Sequence, residues 1–214
     1  MPRRFCTGAL ALVSLLIASL AGCTVSQEEY TTPLRPLPGI TLLTRAEWDA
    51  RPPAGAMQRH TPRALTIHHT ATPQRPDRDP RETLRALQRF SFSDETLADG
   101  TPKRAWPDVP YHYYIAPDGT VVEGRDVRFE GDTNTEYDTS GQVQIAVEGD
   151  FTEQEPTEAQ VLSLIRLAAS LSEAYGIPTS RVAGHRDRAV GQTLCPGNAL
   201  EAHLPEVRAA MRRE

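Results

Sequence analysis

The apolar positions of this chain fall into two periods. Residues 64–70 form a short run rich in apolar and β-branched side chains, which predicts a strand. Residues 111–115 and 121–124 flank Ala116-Pro117-Asp118-Gly119, a turn signal, and together predict a β-hairpin. Residues 143–147 and 181–183 add two more strands. Elsewhere the period lengthens to that of a helix. Asp79-Pro80-Arg81-Glu82 offers an N-cap, a proline at the first helical position and a glutamate three residues after the cap, with Leu84, Leu87 and Phe90 following as a stripe. The strongest helical signal begins at Thr157, with Gln160 at capping-box spacing. Val161, Leu164, Ile165, Ala168, Leu171 and Tyr175 line one face of it, and Gly176 stops it. Near the end, Asn198 is placed to cap a closing helix carrying Leu200, Leu204, Val207 and Met211, which Pro205 divides. Residues 43–53 read as a short amphipathic turn that buries Trp48, while residues 91–110 and 131–141 read as polar loops, the first as a cleft wall. Strands interleaved with helices of these lengths predict an α/β domain built on one central sheet.

The first residues do not fit this pattern. Met1-Pro2-Arg3-Arg4 is positively charged, and the stretch from Ala9 to Leu20 is apolar except for Ser14 and Ser19. A membrane-crossing helix needs about 20 apolar residues, so this shorter run reads as a secretory leader. Leu20-Ala21-Gly22-Cys23 resembles the bacterial lipobox, in which the cysteine carries lipid and becomes the new N-terminus; the bland alternative is an ordinary leader with a chance cysteine. Residues 24–39 hold three prolines and no apolar periodicity, as expected of a tether. The expected organisation is therefore a leader over 1–22, a lipid-anchored tether over 23–39 and one domain over 40–214. The expected location is the cell envelope, with Thr24 after Cys23 compatible with the periplasmic side of the outer membrane.

Losing Arg3 and Arg4 with the leader moves the net charge from −5 to −7. A mildly acidic chain with 6% aromatic residues lacks the basic face of a nucleic-acid binder. A monomer is expected. Of the three cysteines, Cys6 lies in the leader and Cys23 is assigned to lipid, which leaves Cys195 without an internal disulfide partner in an exported chain. Such a thiol is a buried apolar residue, a reactive group or a metal ligand. Gly184-His185-Arg186-Asp187 precedes Thr193-Leu194-Cys195-Pro196-Gly197, so an imidazole and a thiol, both good ligands for zinc, sit on turn-like backbone. A third ligand is available in Ile67-His68-His69-Thr70. Adjacent strand residues point to opposite faces, so only one of His68 and His69 can enter a common site. His68 shares a row with Ala64, Thr66 and Thr70, and His69 with Leu65 and Ile67. The more polar row suits a cleft.

Five short segments in order resemble the zinc-dependent N-acetylmuramoyl-L-alanine amidases, the family that also contains the peptidoglycan recognition proteins and the phage lysozyme-type amidases. They are Arg45-Ala46-Glu47-Trp48; His68-His69-Thr70-Ala71-Thr72 with Ile67; Pro110-Tyr111-His112-Tyr113-Tyr114-Ile115 with Asp118-Gly119; Glu148-Gly149-Asp150-Phe151; and Gly184-His185-Arg186-Asp187 through Cys195-Pro196-Gly197. The resemblance implies a peptidoglycan recognition protein-like fold, a single α/β domain with a central mixed β-sheet flanked by helices. It implies one Zn2+ per chain on His68, His185 and Cys195, leaving a fourth position open as in catalytic sites. It also implies hydrolysis of the amide between N-acetylmuramic acid and L-alanine of the peptidoglycan stem peptide. Tyr111 matches the family's catalytic tyrosine, although the residue by itself reads first as a packed aromatic in a strand. Thr193 stands where some relatives carry lysine and offers one hydrogen bond without charge. Glu148 is a reserve general base, and Arg186-Asp187 are expected to order the loop or a ligand ring. Ala146 and Cys195 place the chain with the tyrosine-using group rather than with relatives that carry a glutamate near position 146 and an aspartate for the thiol. Residues 131–141 lack the histidine that many relatives carry there. The competing function is a module that binds muropeptide without cutting it, and in the family such members have lost zinc ligands. A zinc peptidase of the His-Glu-x-x-His kind has no matching signature here.

Overall fold

The computed structural model describes residues 39–97 and 100–212; the leader, Cys23 and the tether up to residue 38 lie outside them. In chain order the elements are β1 (Leu42–Leu43), a 3-10 turn at Ala46–Trp48, β2 (Ala64–His69), α1 (Pro80–Ser91), β3 (Glu95–Thr96), β4 (Pro102–Lys103), β5 (Tyr113–Ile115), β6 (Val121–Glu123), β7 (Gln142–Val147), α2 (Glu158–Tyr175), a 3-10 turn at Thr179–Arg181, β8 (Val182–Gly184), α3 (His185–Arg188), α4 (Asn198–Glu201) and α5 (Leu204–Ala210). Six strands make one mixed sheet in the order β1-β6-β5-β7-β2-β8. Only β5 and β6 are antiparallel neighbours; the other pairs are parallel. The expected fold class holds.

Central, parallel strands are covered on both faces and need side chains that tolerate burial throughout. All six residues of β2 are buried, including both histidines. The register sets which side chains share a face. His68, Ala146, Tyr114 and Val122 fall in one row across β2, β7, β5 and β6, while His69, Val147, Ile115 and Val121 form the next row. Neighbouring rows project to opposite faces. The first row's face is covered by α1 and the 3-10 turn, with Leu43, Trp48, Leu84, Val109, Tyr114, Val122 and Ala146 in one apolar cluster and Tyr111 packed on its edge. Trp48 is fully buried and donates its indole N–H to the Glu123 carbonyl at 2.7 Å, so the turn is nailed to the sheet as well as packed on it.

Local signals fix the helices. Asp79 caps α1 by accepting the Arg81 N–H at 2.9 Å. Thr157 and Gln160 form the reciprocal capping box of α2, at 3.1 Å and 3.0 Å, and Gly176 closes it in the left-handed conformation. The closing helix is divided as expected, but Gly197 holds the cap position of α4 and Asn198 is its first residue. Asn198 instead accepts from Arg186 at 2.6 Å. The loop after α1 contains the small antiparallel pair β3–β4, anchored where Lys103 lies over the rings of Phe90 and Trp106.

The hairpin of β5 and β6 turns at Gly119 and its ladder continues beyond the strands, with Arg125 N–H reaching the Tyr111 carbonyl at 2.8 Å. A Cβ on Gly124 would collide with that carbonyl, so only glycine admits the crossing. Tyr111 therefore precedes β5 rather than opening it, on backbone fixed from behind. His112 is fully engaged: Nδ1 accepts the Gln144 N–H at 2.8 Å and Nε2 faces the Phe129 carbonyl at 2.8 Å. Burial pushes its pKa down to about 3, so the ring is neutral and structural.

Candidate metal centre

At the C-terminal ends of β2 and β8 three side chains converge. His68 comes from β2, His185 from the first residue of α3 immediately after β8, and Cys195 from the turn that follows. β2 and β8 are adjacent parallel strands, and this adjacency alone brings residues 68 and 185 together. One donor atom of each side chain lies within 4.8 Å of the others, and all three residues are buried. The Cys195 sulfur is 3.8 Å from Nδ1 of His68, and the His68 and His185 ring centroids are 4.4 Å apart.

The turn holding the thiol is built for close approach. Gly197 has φ +85°, and a Cβ there would strike the Phe151 backbone. Cys195 N–H donates to Thr193 Oγ1 at 3.1 Å, Arg186 N–H donates to the Cys195 carbonyl at 2.7 Å, and His69 N–H donates to the sulfur at 3.3 Å. Asp187 accepts the Gly184 N–H at 3.1 Å, and Arg186 pairs with Glu201 at 3.6 Å. These two charged residues thus order the loop and touch neither imidazole.

His69 goes elsewhere. Its Nδ1 accepts the Phe151 N–H at 3.2 Å and lies 3.8 Å from Asp150, on the opposite face of β2 from His68. Glu148 is buried and its carboxylate is already engaged, accepting the Arg75 N–H at 2.9 Å on one oxygen and the Tyr114 hydroxyl on the other. Thr193 is half-buried; having accepted from Cys195, its own hydroxyl hydrogen is left to donate. Tyr111 is half-buried with its ring centroid 5.2 Å from that of His68, and among the described residues no hydrogen bond engages its hydroxyl.

The donor chemistry fits a cation. Burial, then the neighbouring His185, holds the His68 pKa well below the usual imidazole range, and burial pushes His185 down to about 4. Both rings are therefore neutral at pH 7, the form that has a lone pair to give. Among the described residues His68 Nε2 is buried without a hydrogen-bond partner, and Nδ1 lies 3.8 Å from the thiol sulfur. Burial raises Cys195 to about 12, only partly offset by the His69 N–H. A thiol in that state is inert on its own, and a bound cation reverses the balance. Among the described residues His68, His185 and Cys195 are the cluster able to hold a metal, which leaves room in a tetrahedral site for one further ligand.

Two side chains at the centre had no counterpart in the sequence reading. Thr135 Oγ1 lies 2.6 Å from Nε2 of His185, and the Tyr137 ring stands 5.3 Å from the same imidazole. Both belong to residues 131–141, where the only recognisable signal would have been a histidine. A threonine and a tyrosine in a polar loop announce nothing.

Residues 58–198 match the Amidase_2 family model, described as N-acetylmuramoyl-L-alanine amidase. Peptidoglycan-recognition protein SD of Drosophila simulans is 31% identical over 202 residues, spanning 91% of this chain and 94% of that protein. The N-acetylmuramoyl-L-alanine amidase of Sus scrofa is 28% identical over 184 residues, which cover 83% of this chain but 28% of that longer protein. Among solved structures, the complex of tracheal cytotoxin with the ectodomains of peptidoglycan recognition proteins LCa and LCx superposes with a TM-score of 0.60 at 26% identity, covering 76% of this chain and 93% of that one.

Proposed function

Because the chain belongs to the N-acetylmuramoyl-L-alanine amidase family, we propose that it hydrolyses the amide joining N-acetylmuramic acid to L-alanine of the peptidoglycan stem peptide, using one zinc ion held by His68, His185 and Cys195. The observation that carries this reading is the convergence of three buried, neutral-form donors with an unpartnered imidazole nitrogen among them. A module that only binds muropeptide has no use for two neutral imidazoles and a thiol gathered in one buried cluster, one ring with a nitrogen that no bond satisfies. The recognition-protein relatives support muropeptide as the ligand class under either reading.

When bound, zinc supplies Lewis acidity, polarising the amide carbonyl and bringing the pKa of a water to about 7. The rest belongs to the chain's own residues. His68 and His185 keep their rings neutral through burial, so their nitrogens stay available across the working pH range. Tyr111 keeps its proton because burial, then the Cys195 sulfur, raises its pKa. Its phenol is thus a fixed donor for the oxyanion that forms as the carbonyl is attacked. Thr193 offers a second hydroxyl hydrogen beside the thiol, anchored at its oxygen by Cys195 N–H.

The test is mass analysis of products from purified peptidoglycan, with and without a chelator. Free stem peptides and intact glycan strands are expected from the zinc-loaded protein; chelation should abolish them and added zinc restore them. Retention of peptidoglycan with no release of stem peptide, at one zinc per chain, would replace the enzyme by the binding module.

We also propose that the mature protein is anchored in the cell envelope through lipid on Cys23, on the strength of Leu20-Ala21-Gly22-Cys23 after an apolar run. Intact-mass measurement of the membrane-fraction protein should show acyl chains that Cys23→Ser removes. An unmodified Cys23 in the mature wild type overturns the anchor.

A further inference from the structure

We infer that Thr135 is the positioning residue of the metal centre: its hydroxyl holds Nε2–H of His185, and so presents Nδ1 of that ring to the ion. This rests on the zinc reading above and goes beyond it, assigning a tautomer and a source for it.

The geometry is specific. Thr135 Oγ1 is 2.6 Å from His185 Nε2, and among the described residues no other hydrogen bond reaches the ring. An imidazole that binds a metal gives one nitrogen to the ion and commonly donates from the other to an outer acceptor, which fixes both tautomer and ring angle. With Nε2 committed to Thr135, Nδ1 is the nitrogen left for the ligand cluster. The donor directions are consistent along the chain of groups. Thr135 Oγ1 accepts from His185 and passes its own hydrogen to Thr133 Oγ1, 2.8 Å away, while Thr135 N–H also points at Thr133 Oγ1 at 3.1 Å. Every hydroxyl in the relay then has an acceptor for its hydrogen except the last.

The loop carrying Thr135 is held at both ends, at one of them by the segment that follows His185. Glu136 N–H donates to Gln192 Oε1 at 2.8 Å, and Gln192 returns a bond to the Glu136 carbonyl at 3.3 Å. At its start, Asp132 is paired with the buried Arg125, which also holds the Val109 and Asp108 carbonyls. Tyr137 lays its ring beside the imidazole, at 55° between planes. A polar loop pinned this firmly above one ligand has a use beyond covering it: it removes the rotational freedom of His185 about its last side-chain bond. Neither Arg186 nor Asp187, the residues expected to serve the ligand ring, makes that contact.

The test measures zinc affinity by chelator competition in the wild type, Thr135→Val and Thr135→Ser. Thr135→Val keeps the shape and removes the acceptor, so its affinity should fall by about 10- to 100-fold. Thr135→Ser restores the hydroxyl and should recover most of it. Equal affinity in all three proteins overturns the inference, and so does equal loss in both variants, which would mean packing rather than the hydrogen bond. If Thr135→Val does not fold, nitrogen-15 NMR of the zinc-loaded wild type decides: His185 protonated on Nε2 is expected, and protonation on Nδ1 overturns it. A wild type that binds no zinc tightly refutes the zinc reading itself, a result distinct from any of these.

Discussion

His68→Ala should yield a folded protein that carries almost no zinc and releases no stem peptide, whereas His69→Ala, one residue away, should keep about one zinc per chain. The contrast follows from the register. His68 stands in the row that faces Ala146 and Tyr114, and its ring lies 4.4 Å from that of His185 and 3.8 Å from the Cys195 sulfur. Removing it leaves two protein ligands, too few to close a tight tetrahedral site. Ala in its place also removes a buried polar ring with an unpartnered nitrogen, so the metal-free fold should not suffer. His69 projects to the other face and accepts the Phe151 N–H. Without it that amide is left unpaired, at a cost of about 1–3 kcal/mol of stability. Metal analysis and thermal unfolding of both proteins check the pair of outcomes. A loaded His68→Ala beside an empty His69→Ala would reverse the assignment at its first residue.

The second large effect is expected at Tyr111. Tyr111→Phe should lower kcat by about 100- to 1,000-fold while leaving zinc content, KM and thermal stability near wild type, the magnitude seen when one oxyanion donor is removed. The stability expectation follows from the hydroxyl's lack of a hydrogen-bond partner among the described residues, and from a ring whose packing on the Leu43–Trp48 cluster phenylalanine retains. The kinetic expectation follows from the raised pKa, which keeps the phenol a donor. Steady-state kinetics on a defined muropeptide separates the two parameters. Unchanged turnover would move the donor role to Thr193, since the Glu148 carboxylate is already held by Arg75 and Tyr114.

Whatever depends on a few neighbouring residues could be read from the sequence. The capping box of α2, its glycine stop, the proline-led start of α1 and the β5–β6 turn are all short-range signals, and each appears where expected. The separation of His68 from His69 was also readable, because strand alternation is a local rule. What the alternation rule could not show is that Thr66 in the polar row is fully buried, bonding to Gln142 at 2.9 Å instead of lining a cleft. Tyr111 was expected inside a strand and lies two residues before β5, where its carbonyl passes close over Gly124 and accepts the Arg125 N–H. The one-turn helix at His185 and the β3–β4 pair are too short for any periodicity to register. Thr135 was out of reach for a different reason. Its bond to His185 spans 50 residues, and a hydroxyl becomes informative only when its neighbour in space is known.

The position of β2 in the sheet has a consequence for the time at which this protein becomes competent. β2 is made early, but its neighbours β7 and β8 come long after it in the chain, and Cys195 lies 127 residues beyond His68. An emerging chain holds one of the three donors until residue 185 has appeared, and two until residue 195. Pairing strands this far apart carries a large loop-closure entropy and makes such topologies slow to form. The site therefore cannot assemble piecemeal during synthesis. The metal-binding and hydrolytic capacity proposed for it is withheld until the whole domain has closed, and a partly made or unfolded copy lacks the assembled cluster.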